Sequence, residues 1–259
     1  RPLGVDLKLI MRYYFRFMLK YYNTHMFACG IEAGDWLYGK KNRNNVIIMK
    51  NAIDANQYRY NEETQNRMRE ELGISGKKVI GHVGRFFPQK NHTFLIDIFK
   101  AVHDRDKNTV LLLVGGGEAD DTLKNQIRHK VKDLGLEDSV KFLGVREDVE
   151  KVVQAFDVFL LPSLFEGLPV TMVEAQAAGL PCVISDKVPI QCDITGNVKV
   201  VSLEEAPEKW AEVIDDVLKN FKKKDTYETI VNAGFDIKEN AKWLKDFYVE
   251  ALKEAGENN

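Results

Sequence analysis

The sequence is poor in cysteine and histidine and carries almost no excess charge of either sign. Of its 259 residues, 3 are cysteine and 5 are histidine, and 37 Lys+Arg face 39 Asp+Glu for a formal net charge of -2. The few cysteines, odd in number, predict buried free thiols in a reducing compartment and exclude a disulfide framework. They are Cys29, Cys182 and Cys192. The balanced charge gives no reason to expect nucleic-acid binding.

Long apolar runs are also absent. No stretch approaches about 18 consecutive apolar residues, so the sequence predicts no transmembrane helix. The first residues lack the small-residue cleavage site of a signal peptide. With 44% hydrophobic and 29% charged residues, the composition is typical of globular domains and excludes disordered and collagen-like chains. We therefore expect a cytoplasmic location.

Short apolar runs alternate with helical patterns from residue 46 onward. Most runs are rich in Val, Ile and Leu and barely alternate, which is typical of strands buried on both faces. About six strand–helix repeats predict an α/β fold with a Rossmann-like, doubly wound parallel sheet and additional C-terminal helices. The predicted strands are Val46–Met49, Val79–Val83, Val110–Val114, Val140–Leu143, Val158–Leu161, Cys182–Ile184 and Val198–Val201.

Helix signals fill the intervals between these strands. Asn91 is expected as the N-cap of one helix, and Asp120 or Asp121 opens another helix that ends at Gly135. The basic run Phe221–Lys224 is predicted as a solvated loop. The other predicted helices span 146–155, 169–178, 204–219, 226–233 and 237–254.

The loop after the second predicted strand is a candidate phosphate site, because ligands of open α/β sheets bind beyond the carboxyl ends of the strands. It reads G-R-F-F-P-Q-K-N, with Gly84 at the strand exit and with Arg85 and Lys90 before a helix. Cations beside a helix N-terminus favour phosphate binding. The alternative is an ordinary loop with two solvated cations. The loop is not a Walker A motif.

The loop after the fifth predicted strand carries two glutamates eight residues apart. Glu166 precedes a helix that Pro169 would open, and Glu174 lies within that helix. Both carboxylates could therefore face one cleft at different depths and accept hydroxyl groups of one polar ligand. The amides from Gly167 to Val170 could donate to phosphate. Alternatively, Glu166 is a carboxylate favoured by the helix dipole, and Glu174 is a surface residue.

Together these loops resemble the donor-binding domain of family 4 retaining glycosyltransferases of the GT-B fold. Five motifs occur in the family's order: G-R-x4-K, V-G-G-G-E, F-L-G, D-V-F-L-L-P-S and E-x7-E. The resemblance covers roughly Val46 to Ser202, and its details are most similar to bacterial capsule and exopolysaccharide glycosyltransferases. It implies a retaining, nucleotide-sugar-dependent hexosyltransferase that acts on a glycan or a polyprenyl-diphosphate-linked acceptor.

The resemblance also implies a role for each matching residue. Arg85 and Lys90 would hold the donor diphosphate and stabilise the charge of the leaving group. Glu174 would bind the ribose hydroxyls, and Glu166, the third catalytic position, would lie near the transferred sugar without acting as a nucleophile. The expected donor is a UDP-sugar, and neither a cofactor nor a metal is implied. The other donor-binding positions are Gly84, Leu143, Val145, Gly167, Leu168 and Pro169.

Two other features suggest chemistry but receive structural interpretations. The D-x-D triplet Asp104–Asp106 is predicted to be a solvated turn at a helix end, not a metal site. The histidines are predicted to be structural, with His82 in a core strand. His92, at a helix start, lies near the two cations of the phosphate loop.

The resemblance divides the chain into three parts. Residues 1–45 look like a remnant of an N-terminal acceptor domain, residues 46–235 form the donor-binding domain, and residues 236–259 form a C-terminal helix. By this comparison roughly 100 residues or more would lie upstream. We expect such a fragment to bind donor but to transfer little sugar alone. The alternatives are a non-catalytic nucleotide-sugar-binding module and a scaffold of a polysaccharide assembly complex.

The first helix pattern carries a stripe of cations. Lys8, Arg12, Arg16 and Lys20 recur every four residues. Like charges at this spacing repel by about 0.2–0.5 kcal/mol per pair, so the stripe needs a counter-charge or water. One interpretation is peripheral contact with the inner face of the cell membrane or with a lipid diphosphate. The other is a solvated face on a helix whose aromatic side packs on the upstream domain.

Overall fold

The computed structural model describes residues 7–117 and 121–257. The chain divides into two compact units, Arg1–Ala52 and Ile53–Asn259. Among the described residues, no helix is long and apolar enough to cross a membrane.

The first unit is a small α/β arrangement. Its described elements are α1 (Leu7–Tyr22), β1 (Met26–Ala28), α2 (Ile31–Tyr38) and β2 (Val46–Ile48). β2 pairs in parallel with β1, with Met26 opposite Val46. The predicted strand at residue 46 is thus confirmed, but it belongs to this sheet and not to the larger one. Val46 packs closely against α2 of this unit. Its Cγ1 lies only 3.0 Å from the position that a Cβ on Gly34 would take.

Half of the predicted basic stripe on α1 has an aromatic partner within this unit. The guanidinium carbons of Arg12 and Arg16 lie 5.5 and 5.4 Å from the ring centroid of Trp36, within the range of cation–π attraction. The side chains of Lys8 and Lys20 lie outside the described part of the chain. α1 also exposes several large apolar side chains, among them Leu9, Ile10, Tyr13, Tyr14, Phe17 and Tyr21.

The second unit contains the predicted doubly wound parallel sheet. Its strand order is β5-β4-β3-β6-β7-β8, and all neighbours are parallel. The chain starts in the middle at β3, builds outward to one edge, and returns to β6 to build the other half. The order therefore reverses between β3 and β6, where sheets of this kind bind ligands. The strands are β3 (Lys78–Val83), β4 (Thr109–Val114), β5 (Val140–Gly144), β6 (Val158–Leu161), β7 (Cys182–Ser185) and β8 (Val198–Val201).

Helices cover both faces of this sheet, which explains the nearly continuous apolar strands. In β4, Val110, Leu112 and Val114 enter one core cluster, whereas Leu111 and Leu113 enter the other. This is the two-residue alternation of a strand, with both faces buried. The helices are α3 (Ala55–Tyr58), α4 (Glu62–Glu71), α5 (His92–Arg105), α6 (Thr122–Asp133), α7 (Val149–Val152), α8 (Val170–Ala177), α9 (Pro207–Asn220), α10 (Tyr227–Asn232) and α11 (Ile237–Glu257).

Two helix starts differ from what the sequence led us to expect. Asn91 does occupy the N-cap position of α5, but it has φ +54° and its side chain does not cap the helix. Instead its Nδ2 donates to the Pro162 carbonyl at 3.2 Å, because that loop lies directly opposite. α4 was not predicted at all. Its signal was Asn61, whose Oδ1 accepts from the Thr64 amide at 2.7 Å, as an N-cap does.

Two predictions about exposure are wrong. Lys223 of the predicted solvated loop turns inward, where its Nζ donates to the Gln154 carbonyl at 2.6 Å and lies 5.3 Å from the Tyr60 ring. Burial lowers the pKa of Lys223 to about 7. Cys29, predicted to be buried, is exposed, while Cys182 and Cys192 are buried free thiols as predicted. A lysine stem is long and apolar enough to pack inward when its ammonium finds an acceptor.

Candidate functional site

The predicted phosphate loop leaves β3 beside the glycine-rich loop that leaves β4. The Gly84 amide donates to the Val114 carbonyl at 2.9 Å, and the Phe86 amide donates to the Gly116 carbonyl at 2.8 Å. Gly115 has φ +141°, and a Cβ on it would lie 2.1 Å from the Gly84 oxygen. A side chain at residue 115 would therefore push the two loops apart, and glycine permits their close approach.

The two predicted phosphate-binding cations have different surroundings. Arg85 is exposed, and its guanidinium carbon lies 6.0 Å from the Phe87 ring centroid. Lys90 is mostly covered, with 16% of its side chain exposed, and its Nζ forms an ion pair with Oε1 of Glu166 at 2.7 Å. The guanidinium of Arg85 is thus exposed to solvent, whereas the ammonium of Lys90 is already paired with a carboxylate.

Glu166 is the centre of a hydrogen-bond network that joins the two loops. Its side chain is 7% exposed. Besides Lys90, Oε1 accepts from Ser163 Oγ at 2.7 Å, and Oε2 accepts from Gln89 Nε2 at 3.1 Å. A carboxylate with three donors, one of them cationic, is well compensated despite its burial. The structure therefore brings together Lys90 and Glu166, two of the predicted site residues, and adds Ser163 and Gln89 as partners of Glu166.

Glu174 lies apart from this hydrogen-bond network, half-buried on α8. Burial raises its pKa, and hydrogen-bonding contact with the Tyr58 side chain acts in the opposite direction. Burial and the nearby Glu174 charge also raise the pKa of Tyr58. Its phenol therefore remains protonated and can donate to the carboxylate. A carboxylate in such a setting has spare acceptor capacity for the hydroxyls of a ligand.

The remaining predicted positions differ in their surroundings. Leu143 packs against the core, whereas Val145 is 79% exposed, and its Cγ2 lies 2.9 Å from where a Cβ on Gly116 would stand. Pro169 is the buried residue that precedes α8. Within the described part of the chain, the amides of Gly167 and Leu168 donate to no protein acceptor. They are therefore free to donate to a ligand.

Two buried histidines lie beneath the phosphate loop. The rings of His82 and His92 have centroids 4.9 Å apart, and His92 stacks on Phe86 at 4.3 Å. His82 Nδ1 bonds to the Leu160 carbonyl at 2.9 Å, but its Nε2 and both ring nitrogens of His92 lack a partner in the described structure. Burial lowers the pKa of His82 to about 4 and that of His92 to about 2. Both are therefore neutral, in keeping with the predicted structural role.

The carboxylates of the D-x-D triplet form ion pairs with nearby lysines. Asp104 is ion-paired with Lys100 and Lys107, and Lys78 approaches Asp106 at 2.8 Å. Hydrogen bonds from Lys100 and Lys107 lower the pKa of Asp104 to about 2. Among the described residues, no group of three or more His, Cys, Asp or Glu side chains is arranged to hold a metal ion.

Comparison with known proteins identifies the family. The family described as glycosyl transferases group 1 matches residues 64–234, which include the phosphate loop and both glutamates. The chain belongs to this family. The match extends over most of the second unit, where β3 to β8 lie.

Relatives within this family extend beyond the chain. EpsF of Bacillus subtilis (strain 168) is 36% identical over 231 residues, which are 87% of this chain and 59% of EpsF. The UDP-Gal:alpha-D-GlcNAc-diphosphoundecaprenol alpha-1,3-galactosyltransferase of Escherichia coli is 28% identical over 216 residues, 80% of this chain and 54% of that enzyme. The chain thus spans somewhat more than half the length of these relatives.

Solved structures share the fold. Anabaena HepE, crystallised in complex with UDP and glucose, superposes with a TM-score of 0.73 at 22% sequence identity, over 87% of this chain and 63% of HepE. At this identity the likeness shows the fold alone. It agrees with the Rossmann-like parallel sheet found in GT-B glycosyltransferases.

Proposed function

We propose that this chain contains the donor-binding domain of a retaining glycosyltransferase. It transfers a hexose from a UDP-sugar to a glycan or polyprenyl-diphosphate-linked acceptor, in the synthesis of a bacterial capsule or exopolysaccharide. The name of the Escherichia coli relative supports both the UDP donor and the lipid diphosphate acceptor. The complex of HepE with UDP and glucose supports the same class of donor.

One observation carries this proposal. Arg85, Lys90, Glu166 and Glu174 all follow the carboxyl ends of β3 and β6, the two strands at which the sheet order reverses. Two cations and two carboxylates at this position match the needs of a nucleotide sugar, which presents a diphosphate, a ribose diol and a hexose. The amides of Gly167 and Leu168 add neutral donors.

The proposed transfer retains configuration, as in the family that the sequence motifs resemble. The bond between the anomeric carbon of the sugar and the diphosphate oxygen breaks, and the nucleoside diphosphate leaves with both bonding electrons. Arg85 and Lys90 stabilise the negative charge that grows on this leaving group. An acceptor hydroxyl forms the new glycosidic bond on the same face, and its proton passes to the departing phosphate oxygen. Glu166 orients the sugar and takes no covalent part.

Binding to the membrane is a separate part of the proposal. The exposed apolar side chains of α1 would enter the lipid interface, and its cations would attract anionic head groups. Co-sedimentation at low salt would test this with vesicles that contain, or lack, phosphatidylglycerol. Equal recovery with both vesicle types would argue against it, and the stacking of Arg12 and Arg16 on Trp36 would then be their main role.

The donor site can be tested by calorimetric titration and thermal shift with UDP, GDP, ADP, CMP and TDP and their sugars. We expect UDP and UDP-sugars to bind. Arg85→Ala should lower the affinity for every nucleoside diphosphate about tenfold or more, because a charged contact is lost. Glu174→Gln should lower the affinity for ribonucleotides. Arg67→Ala, on the exposed surface of α4, is the matched control. Absence of any nucleotide response would count against the proposed function.

A further inference from the structure

We propose that Gln89 is a positioning residue that fixes the sugar-facing carboxylate Glu166, so that it controls recognition of the sugar and not of the nucleotide. This inference rests on the proposed donor site. The motif of this loop, G-R-x4-K, does not specify the residue before the lysine, which is Gln89 in this chain.

Gln89 connects the phosphate loop to the sugar loop through both its backbone and its side chain. Its carbonyl accepts from the Leu164 amide at 2.8 Å. Its Nε2 donates to the Phe165 carbonyl at 2.8 Å and to Oε2 of Glu166 at 3.1 Å. One residue thus holds three consecutive positions of a loop that follows a different strand.

The network leaves Glu166 little freedom. Oε1 of Glu166 accepts hydrogen bonds from Lys90 Nζ and from Ser163 Oγ, both at 2.7 Å. Both lone pairs of Oε1 are therefore used. On Oε2 one lone pair is used by Gln89 and one stays open. The position of Gln89 therefore determines the direction from which a sugar hydroxyl can reach Oε2. Ser163, which is fully buried, holds Oε1.

The side-chain type at this position has a defined consequence. Glutamine donates a proton and carries no charge, whereas a glutamate would place a second carboxylate about 3 Å from Glu166. Two carboxylates this close cannot both ionise easily, and one would hold a proton. Alanine would remove the donor without adding charge, and because Gln89 is only partly buried its loss leaves no large cavity.

The experiment compares UDP with the UDP-sugar that binds most tightly among UDP-glucose, UDP-galactose and UDP-N-acetylglucosamine. Dissociation constants are measured by titration calorimetry from pH 5 to 8 for the wild type, Gln89→Ala and Gln89→Glu. Gln57→Ala, an exposed glutamine on α3, is the control, and thermal unfolding shows that each variant is folded.

We expect Gln89→Ala to bind UDP within about twofold of the wild type and to bind the UDP-sugar about five- to tenfold more weakly. This is the effect of about one ordinary hydrogen bond, because the lost contact orients Glu166 and does not touch the ligand. Gln89→Glu should bind the UDP-sugar most weakly at pH 8 and recover as the pH falls and the two carboxylates share a proton. Equal weakening of UDP and UDP-sugar in Gln89→Ala, or no weakening of either, overturns this inference alone. A wild-type chain that binds no nucleotide overturns the proposed function as well.

Discussion

The contact between Tyr58 and Glu174 affects the charge state of a residue that we propose to bind the donor. Burial raises the pKa of Glu174, while contact with Tyr58 lowers it. An ionised carboxylate is the form that accepts ribose hydroxyls, so affinity for a ribonucleotide should fall as the pH falls through the pKa of Glu174. Because that pKa is raised, this loss begins at a higher pH than for an ordinary glutamate.

Tyr58→Phe removes the hydroxyl and keeps the ring, which packs against the cluster around Val173. The pKa of Glu174 should then rise further, and the pH at which half of the UDP affinity is lost should move upward. Titration calorimetry from pH 5 to 8 measures this, with Tyr60→Phe as the control. An unchanged pH profile in Tyr58→Phe would show that the hydroxyl does not govern Glu174.

His92 makes a second prediction at the residue scale. Its folded-state pKa is about 2, below the ordinary value of about 6.5. As the pH falls below 6.5, the unfolded chain therefore binds a proton that the folded chain does not, and stability declines. His92→Phe keeps the stack on Phe86 and breaks no hydrogen bond.

We expect His92→Phe to have nearly wild-type stability at pH 7. At pH 5 it should exceed the wild type by about 2 kcal/mol, the integral of the proton linkage for one such group between these two pH values. Urea denaturation at both pH values tests this expectation. His129→Phe, on the exposed surface of α6, is the control. A parallel loss of stability in His92→Phe and the wild type as the pH falls would contradict this expectation.

At the scale of elements, Asp236 joins the start of α11 to the start of α3. It is 3% exposed. Its Oδ1 accepts from the amides of Lys238 and Glu239 at 3.0 and 3.1 Å, and its Oδ2 accepts from the Ala55 amide at 3.2 Å. One side chain thus caps the C-terminal helix and also holds the short helix that carries Tyr58.

Asp236→Ala should lower the free energy of unfolding by about 2–4 kcal/mol, because it removes a cap and leaves the buried Ala55 amide without its acceptor. Asp236→Asn retains one carbonyl oxygen and should lose about half as much. Asp246→Ala, exposed on the same helix, should have little effect. Thermal and urea unfolding give the comparison, and equal stability of the variants at residues 236 and 246 would refute this role.

The elements also show what the sequence could predict. Strands β3 to β8 were predictable because each is an apolar run, and burial on both faces imposes such runs. Their loops were predictable as a candidate site because parallel strands share one carboxyl edge. The partners of Glu166 and Glu174 were not, since Gln89 and Tyr58 reach them from distant segments through loop geometry. Lys223 was missed for the same reason, because its acceptor on Gln154 is remote in sequence.

At the scale of the whole molecule, donor binding and sugar transfer should be separable. The residues proposed for the donor lie between Gly84 and Glu174, within the second unit. Transfer also requires an acceptor held beside the sugar, and correct placement of the two reactants supplies much of the rate. The relatives that match are longer, with this chain spanning 59% of EpsF.

We therefore expect the chain to bind UDP and a UDP-sugar but to form little or no glycoside by itself. Labelled UDP-sugar incubated with a polyprenyl-diphosphate-linked saccharide would measure transfer, and titration calorimetry on the same preparation would show that the site is intact. Product that forms with the wild type and disappears with Arg85→Ala would contradict this expectation, because transfer would then need no acceptor surface beyond these two units. Binding without product would place acceptor recognition outside them, since the groups that stabilise the leaving diphosphate would already be functional.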